Sequence, residues 1–97
     1  MPDAVHELLA TEVALEKLGA RQISAEEAAQ VPRNDHVIVR DPHGGGEPGS
    51  RRLLIGRTSG GRVLTLVIEA TIDSTTWLIV TGWSATDAER ILLKRKQ

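Results

Sequence analysis

Apolar residues recur at three- and four-residue steps at the start of the chain: Val5, Leu8, Leu9, Val13, Leu15 and Leu18. That period predicts a helix over residues 4–19, with Gly19 as its stop. In "ISAEEAAQV", Ser24 precedes Glu27 by three positions, a capping box that opens a second helix over 24–31. Pro32 closes it, because proline crowds the helical conformation of the residue before it. The pattern then changes. "DHVIVRD" (35–41) is rich in β-branched residues and bounded by turn formers, so it reads as a strand. "PHGGGEPGS" (42–50) reads as a flexible loop. "RRLLIGRT" and "RVLTLVIEA" flank "SGG" as two arms of a hairpin, and "TTWLIVTGW" follows the loop "TIDS" as a fourth strand. "SATDAERILLKRKQ" is helical again over about 86–95. Thr86 and Glu89 form a second capping box, Ala88, Ile91 and Leu92 give a short apolar face, and Lys94, Arg95 and Lys96 suit the negative end of the helix dipole.

The predicted order is α-α-β-β-β-β-α in a single domain over 1–97. Short links between successive strands favour a four-stranded antiparallel sheet, and the class is α+β with helices on one sheet face and the other face left available. Strand alternation puts Leu64, Leu66 and Ile68 on one face and Val63, Thr65, Val67 and Glu69 on the other. It also groups Leu53, Ile55 and Arg57 on the second strand, and Trp77, Ile79, Thr81 and Trp83 on the fourth. Both faces of each strand are apolar, so the pattern leaves open which one meets solvent.

Length and composition narrow the classes. A chain of 97 residues suits one small domain of modest stability. It holds no cysteine, which excludes disulfides and thiolate metal sites. The start "MPDAVHELLA" lacks the basic flank and long apolar run of a signal peptide, and no run approaches the ~20 apolar residues that cross a membrane. The expectation is a soluble, cytoplasmic protein. The net charge of -1 conceals an asymmetry: residues 1–50 carry four basic and nine acidic side chains, and residues 51–97 carry eight basic and four acidic. A basic half attracts phosphate or an acidic partner. Trp77 and Trp83 are the only aromatic residues of the Phe, Tyr and Trp class, so base stacking would fall to Trp, His or Arg.

The candidate chemistry is limited. His6, His36 and His43 have no metal-ligand spacing, and the glycines at 44–46 lack the lysine and the following helix of a phosphate loop. No cofactor motif is present. The arginines carry more. Arg52, Arg57 and Arg62 lie on or beside one hairpin, and arginine holds a phosphodiester by paired hydrogen bonds. RNA cleavage also needs a base for the ribose hydroxyl, for which Glu69, His36 and His43 are the candidates. On spacing alone the plainer reading is favoured, with Arg52 and Arg62 as solvated strand-end charges and Glu69 as their surface partner.

In order, "ISAEEAAQV", "HVIVRDP", "GSRRLLIGRTSGGRVLTLVIE" and "WLIVTGWSATDAER" resemble the BrnT family of bacterial type II toxins. The resemblance runs over about residues 15–92. It implies a RelE-like fold, a ribonuclease activity that stalls translation and needs no metal or cofactor, and neutralisation by a co-transcribed antitoxin. It matches Arg57 and Arg62 to the family's "GRT…GR" arginines and Thr86, Glu89 and Arg90 to its "AT-x-x-ER" segment, which would place or contact RNA. Arg57, with Glu69 or His36 as base, would be catalytic; Arg52, Arg62, Trp83 and Arg90 would bind RNA. The chain departs from the family at several positions: no lysine directly precedes Arg21, the arginines that members carry early in the last strand are missing, and two single residues differ. Arg21 stands where members carry a histidine, and Trp83 stands where they carry an arginine. A tryptophan stacks on a base but does not neutralise phosphate; equally, it packs as core under the last helix. The alternative is therefore a non-catalytic protein-interaction module on the same scaffold. A protein partner is expected in either case, and a homodimer would also hide an apolar sheet face.

Overall fold

The computed structural model describes residues 3–40 and 51–96. The loop proposed for 42–50, and His43 within it, lie outside the described residues. Strand β1 (Glu7–Ala10) is followed by helices α1 (Glu12–Gly19) and α2 (Ala25–Gln30), with a single 3-10 turn at Val31–Arg33. Then come β2 (His36–Arg40), β3 (Arg51–Arg57), β4 (Val63–Ala70), β5 (Thr76–Ser84) and helix α3 (Asp87–Lys96). The class is α+β, and the sheet order is β1-β5-β4-β3-β2.

The four strands expected from the pattern form one antiparallel run, β2 to β5. A fifth strand changes the sheet from antiparallel to mixed. Residues 7–10, expected as the first part of a helix, pair in parallel with β5, Glu7 opposite Thr76 and Ala10 opposite Ile79. The helix begins only after Thr11, whose extended backbone and side-chain oxygen cap it by accepting from the Ala14 N–H at 3.2 Å. The outer edge of β5 offers a full row of backbone partners, and satisfying them outweighs the helical period of Leu8 and Leu9. Pairing also turns Leu8 toward the core. The Trp77 indole then fixes the incoming chain by donating to the Ala4 carbonyl at 3.0 Å.

A bulge in β5 corrects a second expectation. Val67 pairs with Thr81 and Ile68 with Ile79, so Val80 is an extra residue. One inserted residue exchanges the two faces of everything beyond it. Trp77 and Ile79 therefore join Leu54, Leu64, Leu66 and Ile68 in the main core, where Leu18, Ile23, Ala28 and Val31 of the helical layer cover them. Thr81 and Trp83 go to the opposite face. That face is not left open as expected. Helix α3 lies over its β2–β3 side, seating Leu93 and the preceding Ala85 against Ile55 and Val63, with Val37 and Val39 at the margin. Leu93 is 1% exposed, and a buried leucine is worth about 2 kcal/mol of apolar burial.

Two glycines allow the layers to close. A Cβ at Gly56 would lie 2.7 Å from the His36 Cβ and 2.8 Å from Val31, where the 3-10 turn crosses β3. A Cβ at Gly82 would lie 2.7 Å from Leu66 and 3.0 Å from Leu18, where α1 meets β5. The predicted "SGG" hairpin forms with Gly61 at φ +91, and the Thr58 N–H donates to the Arg62 carbonyl at 2.8 Å.

Candidate functional site: a cationic cavity at the end of the third strand

Both capping boxes form. At α2, Ser24 and Glu27 exchange hydrogen bonds, and the backbone N–H of Ser24 holds the Glu27 carboxyl below its ordinary value; Arg62 adds to this against the effect of burial. At α3, the Thr86 N–H donates to Glu89 at 2.8 Å and the Glu89 N–H to Thr86 at 3.2 Å. The second box does more than cap. The bulge brings Trp83 onto the same face as Thr65, and both donate to Glu89: the Thr65 hydroxyl at 2.8 Å and the Trp83 indole at 3.0 Å. Burial raises the Glu89 carboxyl, but the Thr86 N–H, the indole and the hydroxyl outweigh it, and the group sits below its ordinary value. Trp83 thus acts as a structural anchor for α3. Its ring carries the Arg21 guanidinium 5.8 Å from its centroid, and Arg21 also donates to the Gly82 carbonyl at 2.9 Å. A guanidinium therefore lies over the Trp83 ring, supplied by Arg21.

The arginines divide into those bound up in the fold and those left for a ligand. Arg51 pairs with Glu69 at 3.4 Å and Arg52 with Asp3 at 2.6 Å. Arg62 donates to the Gln22 carbonyl at 2.7 Å, to Ser84 Oγ at 3.0 Å and to Glu27 at 3.4 Å. It ties the turn between α1 and α2, where Gln22 has a φ of 60, to the ends of β4 and β5. Arg57 differs. Its side chain forms no hydrogen bond or ion pair among the described residues, and the same holds for Arg90, Lys94 and Asp87.

Those four line one cavity of about 300 Å³ with Val63, Ile91 and Leu93. Helix spacing explains the convergence. Asp87, Arg90, Ile91 and Lys94 are separated by three or four positions and share a face of α3, which packing of Leu93 turns toward the end of β3. Arg57 also borders an open groove formed by Pro32, Asn34, His36, Ser59 and Gly61. His36 Nδ1 lies 2.9 Å from the Asn34 carbonyl. A carbonyl only accepts, so Nδ1 donates in this contact, which leaves Nε2 as the nitrogen that carries the lone pair whenever the ring is neutral.

Of the residues expected to act together, the fold brings Arg57 and Arg90 into one cavity and His36 to its neighbouring groove. It places Arg52, Arg62 and Trp83 in structural contacts. Glu69 pairs across the sheet with Arg51, at the opposite end of β3 from Arg57. Arg51 and Arg57 are six residue steps apart along β3, ~20 Å, so Glu69 and Arg57 do not meet on one phosphate. Asp87 and Lys94 were missed by the sequence reading, although their spacing from Arg90 on one helix was the available signal. Among the described residues, no three His, Asp or Glu side chains are grouped to hold a metal ion, and no helix is long and apolar enough to cross a membrane. The chain matches no protein-family model, and no curated protein matches it.

Proposed function

We propose that this chain is a BrnT-like toxin that cleaves RNA and is held in check by a protein antitoxin. The observation that carries the reading is the cavity where Arg57 and Arg90 present guanidinium groups that no other described residue occupies. Elsewhere on the same hairpin, arginine side chains are paired. Leaving cations unpaired beside each other is unfavourable, and a phosphodiester relieves it by accepting from both. In the cleavage step, Nε2 of His36 takes the proton of a ribose 2′-hydroxyl in the adjoining groove. The 2′-oxygen attacks phosphorus, the 5′-oxygen leaves with a proton from water, and the products are a 2′,3′-cyclic phosphate and a 5′-hydroxyl. Arg57 and Arg90 stabilise the charge that builds on the phosphoryl oxygens. An antitoxin segment bearing carboxylates over Arg57, Arg90 and Lys94 would close the cavity.

A second reading, a non-catalytic interaction module, has its own observation. Leu9, Val13 and Leu15 are exposed, Val13 at 60%. Of these, Leu15 lines an apolar cleft with Leu8, Ala10, Ala25, Ala29 and Ile79. Exposed apolar surface of this kind suits a protein partner. Inducible expression in a bacterial host separates the two readings. Growth arrest with loss of RNA integrity, relieved in Arg57→Ala, supports the toxin. Normal growth with abundant folded wild-type protein refutes it and leaves the module.

A further inference from the structure

We infer that the cavity between α3 and the end of β3 is a subsite for one guanine base; this rests on the RNA-cleaving reading. A cavity of about 300 Å³ is at the small end of ligand sites, room for a single nucleoside unit. Its walls have two characters. Val63 and Leu93 are buried side chains that give an apolar floor, and Ile91 is a half-exposed rim. A flat heteroaromatic ring fits such a slot with one face on the apolar floor of Val63 and Leu93 and its edge toward the polar side chains of α3.

The feature that selects the base is Asp87. Phosphate binding alone gives no reason for a carboxylate in a cationic cavity, where it opposes the ligand. Asp87 suits the positive end of α3 as an acidic first-turn residue, and it forms no ion pair with Arg57, Arg90 or Lys94, so both its oxygens stay available to a ligand. An ionised carboxylate is acceptor-only, with two oxygens side by side. It is satisfied by two adjacent N–H donors. Guanine alone offers these on one edge, at N1 and the 2-amino group. Adenine and cytosine place a ring-nitrogen acceptor beside their amino group, and uracil flanks its one N–H with two carbonyls; in each, an acceptor faces the carboxylate. Three positions along the same helix face, ~5–6 Å away at Cβ, Arg90 supplies the complementary donor for guanine O6, the pairing by which arginine reads that base in nucleic acids. The base so held sets its phosphate toward Arg57 and its ribose toward the groove of His36.

The test is a titration of the ¹⁵N-labelled full chain with guanosine, adenosine, cytidine and uridine 3′-monophosphates, following amide shifts. The expected result is that the guanosine nucleotide moves the amides of Arg57, Val63 and 87–94, and binds roughly ten-fold or more tightly than the other three. In Asp87→Asn, which keeps the size and position of the side chain, the four nucleotides are expected to bind alike and weakly. Equal binding of all four by the wild type overturns the guanine subsite alone. A guanosine preference that survives in Asp87→Asn, with the rest of the spectrum unchanged, also overturns it. No shift at the cavity with any nucleotide overturns the RNA reading itself, and this inference with it.

Discussion

Replacing Glu89 with alanine removes the acceptor on which α3, β4 and β5 meet. Three donors lose their partner, and they differ in what replaces it. The Thr86 N–H is exposed and bonds to water instead. Trp83 is partly exposed, so its indole loses a charge-assisted bond and recovers part of it from solvent. Thr65 is 0% exposed, so its hydroxyl is left without a partner. An orphaned buried donor costs about 1–3 kcal/mol, and loss of the capping box about 1 kcal/mol more. The expected destabilisation is therefore about 2–4 kcal/mol, a large part of the 5–15 kcal/mol that holds a typical small domain folded. Urea denaturation followed by tryptophan emission measures it, and an unchanged slope with a lower midpoint marks a change in stability alone.

The acid side adds a sign. The folded Glu89 carboxyl lies below its ordinary value, so the unfolded chain takes up the proton first. The network contributes fully above the ordinary glutamate range of about 4.3, and its contribution is lost as pH falls through the lower folded value. Glu27 and Asp73 are shifted the same way, so the wild-type curve is a sum. The difference between wild type and Glu89→Gln isolates the part due to Glu89. That difference is expected to shrink as the pH falls below the glutamate range. A Glu89→Ala protein within about 0.5 kcal/mol of wild type, or a difference from Glu89→Gln that does not change with pH, would refute the network as described.

Two further substitutions probe the close packing and the division among the arginines. Gly82→Ala drives a Cβ into Leu66 and Leu18 and is expected to cost about 1–3 kcal/mol, read as a lower melting temperature. Arg62→Ala unties the α1–α2 turn from the sheet and is expected to lower stability by about 1–2 kcal/mol, whereas Arg57→Ala is expected to leave the urea midpoint nearly unchanged. Equal effects of the two on stability would contradict the assignment of Arg62 to the fold and Arg57 to the ligand.

Much of this architecture is legible locally. The strands of the β3–β4 hairpin, the Gly61 turn and both capping boxes follow from residues within a few positions of each other. What was not legible depends on distant partners. Glu7–Ala10 has a helical period, and only the edge of β5, some seventy residues later in the chain, makes it a strand. The bulge at Val80 has only an indirect marker in "WLIVTGW", the strand glycine Gly82 two positions on, yet it moves Trp83 to the other face and so to Glu89. Arg57 and Arg62 look alike in "GRTSGGR". They part only in three dimensions, where Arg62 meets the carbonyl of Gln22 and Arg57 meets the open face of α3. The value of Asp87 and Lys94 was hidden for the same reason, since their cavity exists only once Leu93 has docked.

The most direct test of the central claim uses purified chain and a single-stranded RNA, comparing wild type with Arg57→Ala and Arg90→Ala and reading the ends of the products. Cleavage by the wild type to 2′,3′-cyclic phosphate and 5′-hydroxyl ends, lost in both variants while their folding is unchanged, is the predicted result. RNA that stays intact with the wild type, or cleavage that proceeds equally in the variants, would contradict the account.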